Sequence, residues 1–289
     1  MEPVVQLIEC PRDAMQGIQE FIPTSDKVRY INQLLQVGFD TIDFGSFVSE
    51  KAIPQMRDTR EVLARLDFTS ARSRLLAIVA NARGADVACA FDEIHYVGYP
   101  FSVSETFQWR NTNRGIADSL DLVKELKEIT DRTDKELVVY LSMGFGNPYG
   151  DPWNAEIVSQ WCARLHEEAG VRIMALSDTI GSAEMDSLGS IFSSVQRELP
   201  KVLFGVHLHS RVESAAEKIQ AAFDAGCRRF DGALMGFGGC PMAKDDLTGN
   251  MPMEVMTAHF QSQNIQLGID QEALNRALMI AQEIFPNRA

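Results

Sequence analysis

Two histidines separated by one residue, His207 and His209, follow the apolar run Val202 to Val206. On a β-strand, residues i and i+2 project from the same face, so these two imidazoles can share one metal ion. Neutral imidazole is the commonest nitrogen ligand for divalent metals. Any pair of unrelated strand histidines meets that pattern, so the remaining ligands and acids have to be found elsewhere. Candidates stand near other apolar runs: Asp13, Asp43, Ser46 and Asp178. Cys240 follows Gly236-Phe237-Gly238-Gly239, a setting that a core cysteine does not need. The other four cysteines, Cys10, Cys89, Cys162 and Cys227, read as packing residues. An odd set without C-x-x-C spacing suggests neither a disulfide framework nor a zinc finger.

These residues sit at the ends of short β-branched runs that alternate with helical patterns along the whole chain. Strands are expected over Val4 to Glu9, Thr41 to Phe44, Leu75 to Val79, Ile94 to Val97, Leu137 to Ser142, Ile173 to Leu176, Leu203 to Leu208 and Arg229 to Ala233. Helices are expected over Ser25 to Val37, capped by Thr24 or Ser25, and over Asn113 to Thr130, Ala155 to Glu168, Ala183 to Arg197 and Val212 to Ala225. Eight strand and helix pairs in 289 residues predict an α/β fold, a (β/α)8 TIM barrel, with Gln271 to Ile284 as an additional C-terminal helix. No Pro/Ser-rich linker divides the chain, so residues 1–289 are expected to form one domain. Barrel enzymes place their chemistry at the C-terminal strand ends, where the candidate residues fall.

Composition narrows the partners. A formal net charge of −13 and the lack of any Lys/Arg block argue against nucleic acid. A 45% hydrophobic and 23% charged composition is that of a globular protein, and no apolar run is long enough to span a bilayer. The first residues lack the features of a signal or transit peptide, and a cytoplasmic location is expected.

Several short segments occur in a telling order: Pro11-Arg12-Asp13-Ala14-Met15-Gln16, Ser46-Phe47-Val48-Ser49 with Pro54-Gln55-Met56, Asp178-Thr179-Ile180-Gly181, His207-Leu208-His209, Gly236-Phe237-Gly238-Gly239-Cys240-Pro241, and Gly249-Asn250. In these segments the chain resembles the 3-hydroxy-3-methylglutaryl-CoA lyases, within the metal-dependent aldolase and acyl-transferase barrels, over nearly its whole length. The resemblance implies a divalent cation, Mg2+ or Mn2+, held by Asp13, His207, His209 and Asn250. A carboxylate, two imidazoles and an amide oxygen suit such an ion and leave room for substrate oxygens.

The implied reaction cleaves the C2–C3 bond of a 3-hydroxyacyl-CoA, giving acetyl-CoA and acetoacetate from the methylglutaryl compound. A coordinated cation lowers the pKa of a bound oxygen acid and so assists loss of the hydroxyl proton. Arg12 is expected to stabilise the enolate, and Cys240, on a glycine loop that could close over substrate, to protonate it. Removal of the hydroxyl proton is expected from Asp43, Asp178 or His207, with no ranking among them. Ser46, Thr179 and Glu254 are expected around the substrate, Glu254 by holding the Asn250 region in place. A homodimer is the expected assembly.

The chain also departs from the family's pattern. Asp43 stands where these lyases usually carry Glu, setting the carboxylate back by roughly 1.5 Å. Ala14 replaces a typical Gly. After His209 the chain reads Ser210-Arg211-Val212-Glu213, where the family continues with Asp-Thr and then Gly, so support for the ligands is expected to differ. Two other functions compete with the lyase: a Claisen-type acyl-CoA synthase or aldolase acting on a 2-oxo acid, and a catalytically silent barrel that binds metal or a CoA ester.

Overall fold

The computed structural model describes residues 5–69, 71–239 and 248–285. Eight parallel strands close in sequence order into a barrel: β1 (Gln6–Glu9), β2 (Thr41–Ser46), β3 (Arg74–Ile78), β4 (Ile94–Ser102), β5 (Glu136–Ser142), β6 (Ile173–Asp178), β7 (Leu203–Leu208) and β8 (Arg229–Gly232). The ring is completed by β1 on β8, from Gln6 opposite Arg229 to Glu9 opposite Gly232. Eight strands arise because each apolar run is buried on both faces, inward against the barrel interior and outward against a helix. The expected (β/α)8 architecture is the observed one.

Helices follow the strands: α1 (Pro11–Gln16), α2 (Thr24–Val37), α3 (Thr59–Leu63), α4 (Ala82–Cys89), α5 (Glu105–Thr112), α6 (Ile116–Arg132), α7 (Ala155–Ala169), α8 (Met185–Glu198), α9 (Val212–Asp224), α10 (Met253–Ser262) and α11 (Gln271–Ile284). The last matches its expected bounds and packs on α2, with Tyr30 edge-on to Phe285 at 5.6 Å. No helix among the described residues is long and apolar enough to cross a membrane.

Three expectations change. The helix expected over Asn113 to Thr130 is two: Asn113 adopts φ +55° as the cap of α5, and α6 starts after Gly115. Asn is one of the few side chains that tolerates the left-handed region, so a helix can end there. β4 runs past Val97 to Ser102 because it keeps its ladder to β5 through Ser102 opposite Ser142. Neither Thr24 nor Ser25 caps α2. Pro23 holds the cap position, and the Thr24 hydroxyl donates instead to Asp58 (2.8 Å).

Inside the barrel, Leu76 and Ile78 of β3 meet Val138 and Tyr140 of β5. Tyr140 stands edge-on to His207 of β7, with ring centroids 5.7 Å apart, so apolar filling ends where the polar mouth begins. At that mouth the last residue of β1, Glu9, is fully buried and accepts the Leu234 amide (3.0 Å). Glu254 of α10 accepts the next amide, Met235 (2.9 Å), so two carboxylates hold the turn Leu234–Gly236.

Burial raises the Glu9 pKa well above its ordinary 4.5, against the Leu234 hydrogen bond and with help from the charge of Glu254. An acid whose folded pKa is raised adds stability below its unfolded pKa, and that stability is lost as pH rises toward the folded pKa. Glu9→Gln keeps the acceptor for Leu234 and removes the charge. Thermal unfolding followed from pH 4 to pH 8 should show equal Tm at the acid end and a higher Tm for the variant at pH 8, by about 2–4 °C per kcal/mol relieved. Parallel Tm curves would contradict this account.

Candidate metal centre and active site

Asp13 lies on α1, the short helix that Pro11 starts directly after β1. Its Oδ1 accepts Arg12 Nη1 (3.0 Å) and Gln16 Nε2 (2.6 Å), and its Oδ2 accepts Asn250 Nδ2 (2.6 Å). Asn250 arrives from the far end of the chain through an antiparallel bridge to His209. The ligand atoms of Asp13, His207 and His209 all lie within 4.8 Å of one another. The rings of the two histidines stand 5.4 Å apart, on one face as their spacing requires.

Both histidines are oriented through Nδ1. His209 Nδ1 lies 2.9 Å from the Thr179 carbonyl, and His207 Nδ1 lies 3.4 Å from Asp231 Oδ2. A carbonyl and a carboxylate only accept, so each Nδ1 carries a proton, and in the neutral ring Nε2 presents a lone pair. His209 Nε2 and Asn250 Oδ1 are buried and have no hydrogen-bond partner among the described residues. A buried acceptor left unpaired costs about 1–3 kcal/mol, a cost that a cation would remove. The donor set of one carboxylate, two imidazole nitrogens and one amide oxygen therefore fits a divalent cation.

Protonation agrees with that fit at His209 and Asp13, while at His207 a cation would have to displace a more tightly held proton. Burial and the neighbouring His207 bring the His209 pKa down to about 4, so its lone pair is free at neutral pH. Burial works against charge on Asp13 as well. Arg12 first, then the two histidines and the Asn250 hydrogen bond, outweigh it and bring the carboxyl to about 2. For His207, burial opposes the charged form, but the hydrogen bond and charge of Asp231 carry its pKa above 6.5. A second trio, Cys10, His207 and Asp231, also comes within 4.8 Å. Burial keeps the Cys10 thiol protonated and Asp231 is already held by Arg229, which makes it the poorer site.

Arg12 is the centre of the polar mouth. Its Nε and Nη2 grip Asp43 (3.0 and 2.5 Å to Oδ2), and its Nη1 serves Asp13 and Gln16 (2.9 Å to the Gln16 oxygen). That leaves one Nη2 hydrogen of the guanidinium for the cavity that Arg12 lines. The cavity has a volume of about 500 Å³. Arg12, Asp13, His207 and His209 form one end, and Val48, Ile53, Ile78, Pro100 and Phe107 form an apolar wall.

The HMGL-like family model matches residues 5–280. The chain belongs to the HMGL-like family. It is 32% identical over 275 residues, 93% of this chain and 89% of the relative, to the 3-hydroxy-3-isohexenylglutaryl-CoA/hydroxy-methylglutaryl-CoA lyase of Pseudomonas aeruginosa. It is 30% identical to the cytoplasmic 3-hydroxy-3-methylglutaryl-CoA lyase of Rattus norvegicus, over 92% of this chain and 77% of that protein. Among solved structures, it superposes with a TM-score of 0.88 at 28% identity on an HMG-CoA lyase from Acenitobacter baumannii in complex with coenzyme A and 3-methylmalate, covering 97% of this chain and 90% of that one.

In this HMGL-like protein the other expected site residues divide. Thr179 lines the cavity, with its hydroxyl accepting the Met143 amide (2.9 Å). Ser46 does not line it. Its hydroxyl donates to the Ile78 carbonyl (3.2 Å) and accepts the Val48 amide, as a turn former does. Glu254 holds the Met235 amide, away from the cavity lining. Of the three groups expected to take a proton, Asp43 is fully buried behind Arg12, and Asp178 accepts Lys218 Nζ (2.9 Å) and the Ala183 amide (3.0 Å). Only His207 of that trio lines the cavity. Cys240 lies outside the described residues.

One of the glycines before Cys240 has a packing use as well. A Cβ on Gly238, at φ +87°, would lie 2.6 Å from the Asp13 carbonyl oxygen and 2.7 Å from Asn250 Nδ2. This glycine therefore lets the backbone rest on two of the ligand residues.

Sequence reasoning missed Gln16, Asp231, Arg229 and Lys218. Gln16 was visible as the residue one helical turn beyond Asp13. Arg229 and Asp231 alternate on β8 and so share a face. Gly205, two residues before His207, makes room for Arg229, whose Cβ and Cγ would lie 3.0 Å from a Cβ at that position. Arg229 Nη1 then donates to Asp231 Oδ1 (2.7 Å), and Asp231 faces His207. Asp231→Asn should weaken Mn2+ binding about 10- to 100-fold, read by the paramagnetic resonance of free Mn2+. An unchanged dissociation constant would remove Asp231 from the support of His207.

Proposed function

We propose that the chain is a divalent-metal-dependent carbon–carbon lyase that cleaves 3-hydroxy-3-methylglutaryl-CoA, or a close 3-hydroxyacyl-CoA, to acetyl-CoA and acetoacetate. The observation that carries the reading is the pair of buried, unpartnered ligand atoms, His209 Nε2 and Asn250 Oδ1, beside Asp13 and His207 at one end of a largely apolar cavity. Asp13, His207, His209 and Asn250 hold the cation, Mg2+ or Mn2+. When bound, such an ion acts as a Lewis acid that favours loss of the substrate's hydroxyl proton.

Arg12 supplies the charge that the cleavage step needs. Its guanidinium stays protonated, and the remaining Nη2 hydrogen donates to the thioester oxygen as that oxygen gains enolate character. Asp43 acts through Arg12. Gripped from Nε and Nη2, the guanidinium has one orientation, and the shorter carboxylate at this position serves as its brace. Cys240 is the proton donor to the enolate carbon, on the strength of the Gly-Gly-Cys-Pro resemblance. The apolar wall excludes water from that carbanion. The reading takes the protein as a cytoplasmic homodimer acting on an acyl-CoA, with neither nucleic acid nor membrane as partner.

The deciding experiment is a coupled assay for acetoacetate from 3-hydroxy-3-methylglutaryl-CoA, before and after chelation and with Mg2+ or Mn2+ restored. Activity should vanish on chelation and return with either ion. No release under any metal would sink the reading. In the same assay, Asp43→Asn should lower kcat by about 10²-fold or more, on the scale of losing one preorganised charge donor, while Mn2+ affinity stays within about threefold of the parent. Loss of Mn2+ binding in that variant would assign Asp43 to the ion instead of to Arg12.

A further inference from the structure

Lys218 is a buried lysine, 5% exposed, on a helix whose sequence gives no sign of it. Its ammonium donates to Asp178 Oδ2 (2.9 Å), to the Gly181 carbonyl (3.1 Å) and to the His209 carbonyl (3.1 Å). Three donors meet three acceptors, so the group is fully committed. The acceptors belong to separate pieces of the mouth: the end of β6, the loop that follows it, and the residue just past β7 whose ring is oriented for the ion.

The loop after β6 touches the ligand set twice. The Thr179 carbonyl accepts from His209 Nδ1 (2.9 Å) and so fixes which way the ring faces. Gly181, at φ +73°, lies so close to Thr248 that a Cβ would come within 2.8 Å of the Thr248 Cγ2, two residues before Asn250. Ser210, next to His209, gives no such support. Its hydroxyl donates to the Arg211 carbonyl (2.8 Å) and shares a hydrogen bond with Ser214 (3.0 Å).

We infer that Lys218 is the positioning residue of the metal centre: by tying the His209 carbonyl to Asp178 and Gly181, it holds the His209 ring and its Thr179 partner in one register. This rests on Asp13, His207, His209 and Asn250 being the ligand set. Lys218 touches neither ion nor substrate and acts only through His209 and the 178–181 loop. Its loss would leave the His209 carbonyl without its tie to the 178–181 loop, so the ring and its Thr179 partner would be held less firmly and Nε2 would bind the ion less tightly.

A bland alternative is that Lys218 only neutralises Asp178, a carboxylate 1% exposed. Removing one partner of a buried pair destabilises strongly, whereas removing both charges is far milder. The test therefore uses Lys218→Met alone and together with Asp178→Asn, with Mn2+ binding read from the resonance of free Mn2+ and Tm from thermal unfolding. Lys218→Met should bind Mn2+ about 10- to 100-fold more weakly. In the double variant Tm should return toward the parent while Mn2+ binding stays at least about 10-fold weak, because the His209 carbonyl is still unheld.

Parent-like Mn2+ affinity in the double variant overturns the inference and leaves Lys218 as a neutralising charge. A low Tm together with weak binding in the double variant also overturns it, as general loosening. A parent that binds no Mn2+ sinks the metal centre itself, and with it any role for Lys218 there.

Discussion

Two buried lone pairs with no partner among the described residues are the condition on which this barrel mouth is built. His209 Nε2 and Asn250 Oδ1 have no hydrogen-bond partner among the described residues, and each costs on the order of 1–3 kcal/mol in that state. Relaxation would be simple if either side chain could turn. It is prevented because the opposite end of each group is already bonded: Nδ1 of His209 to the Thr179 carbonyl, and Nδ2 of Asn250 to both Asp13 and the Phe237 carbonyl. The structure surrounding the site is largely a set of such tethers. Asp231 does the same for His207, and Gly205 and Arg229 do it for Asp231.

Charge is handled the same way. Besides Glu9, four acids are buried around the mouth, Asp13, Asp43, Asp178 and Asp231, and three cations, Arg12, Lys218 and Arg229, are interleaved among them. Each of these four acids touches one of the three cations, whereas burial raises the pKa of Glu9 instead. Arg12 differs from the other two in keeping a donor that faces the cavity. A divalent ion placed among these groups would find one carboxylate, Asp13, in reach and the remaining acids already matched.

The barrel was legible because its signal is repeated: eight apolar runs of strand length, separated by helical periodicity, constrain one another. His207 and His209 were legible because a strand's two-residue repeat converts spacing directly into a shared face. The long-range partners were not. Lys218 reads as one more polar position on an amphipathic helix, and only the approach of α9 to the end of β6 gives it three oxygens. Asp43 and Asp178 looked equivalent in the sequence, as acids at strand ends. Their roles diverge through Arg12 and Lys218, which lie 31 and 40 positions away from them. The glycines before Cys240 suggested freedom of movement, and the close contact of Gly238 with Asp13 and Asn250, which leaves no room for a side chain, was not legible.

Asp13 and Asn250 are 237 positions apart, yet a single 2.6 Å bond joins them. A ribosome adding roughly 5–20 residues per second needs on the order of 10–50 seconds to make the second after the first. Throughout that interval the first strand also lacks its neighbour β8, so the emerging chain has no chelating pocket to fill. A cation held by Asp13, His207, His209 and Asn250 together would be captured only after Asn250 has been made.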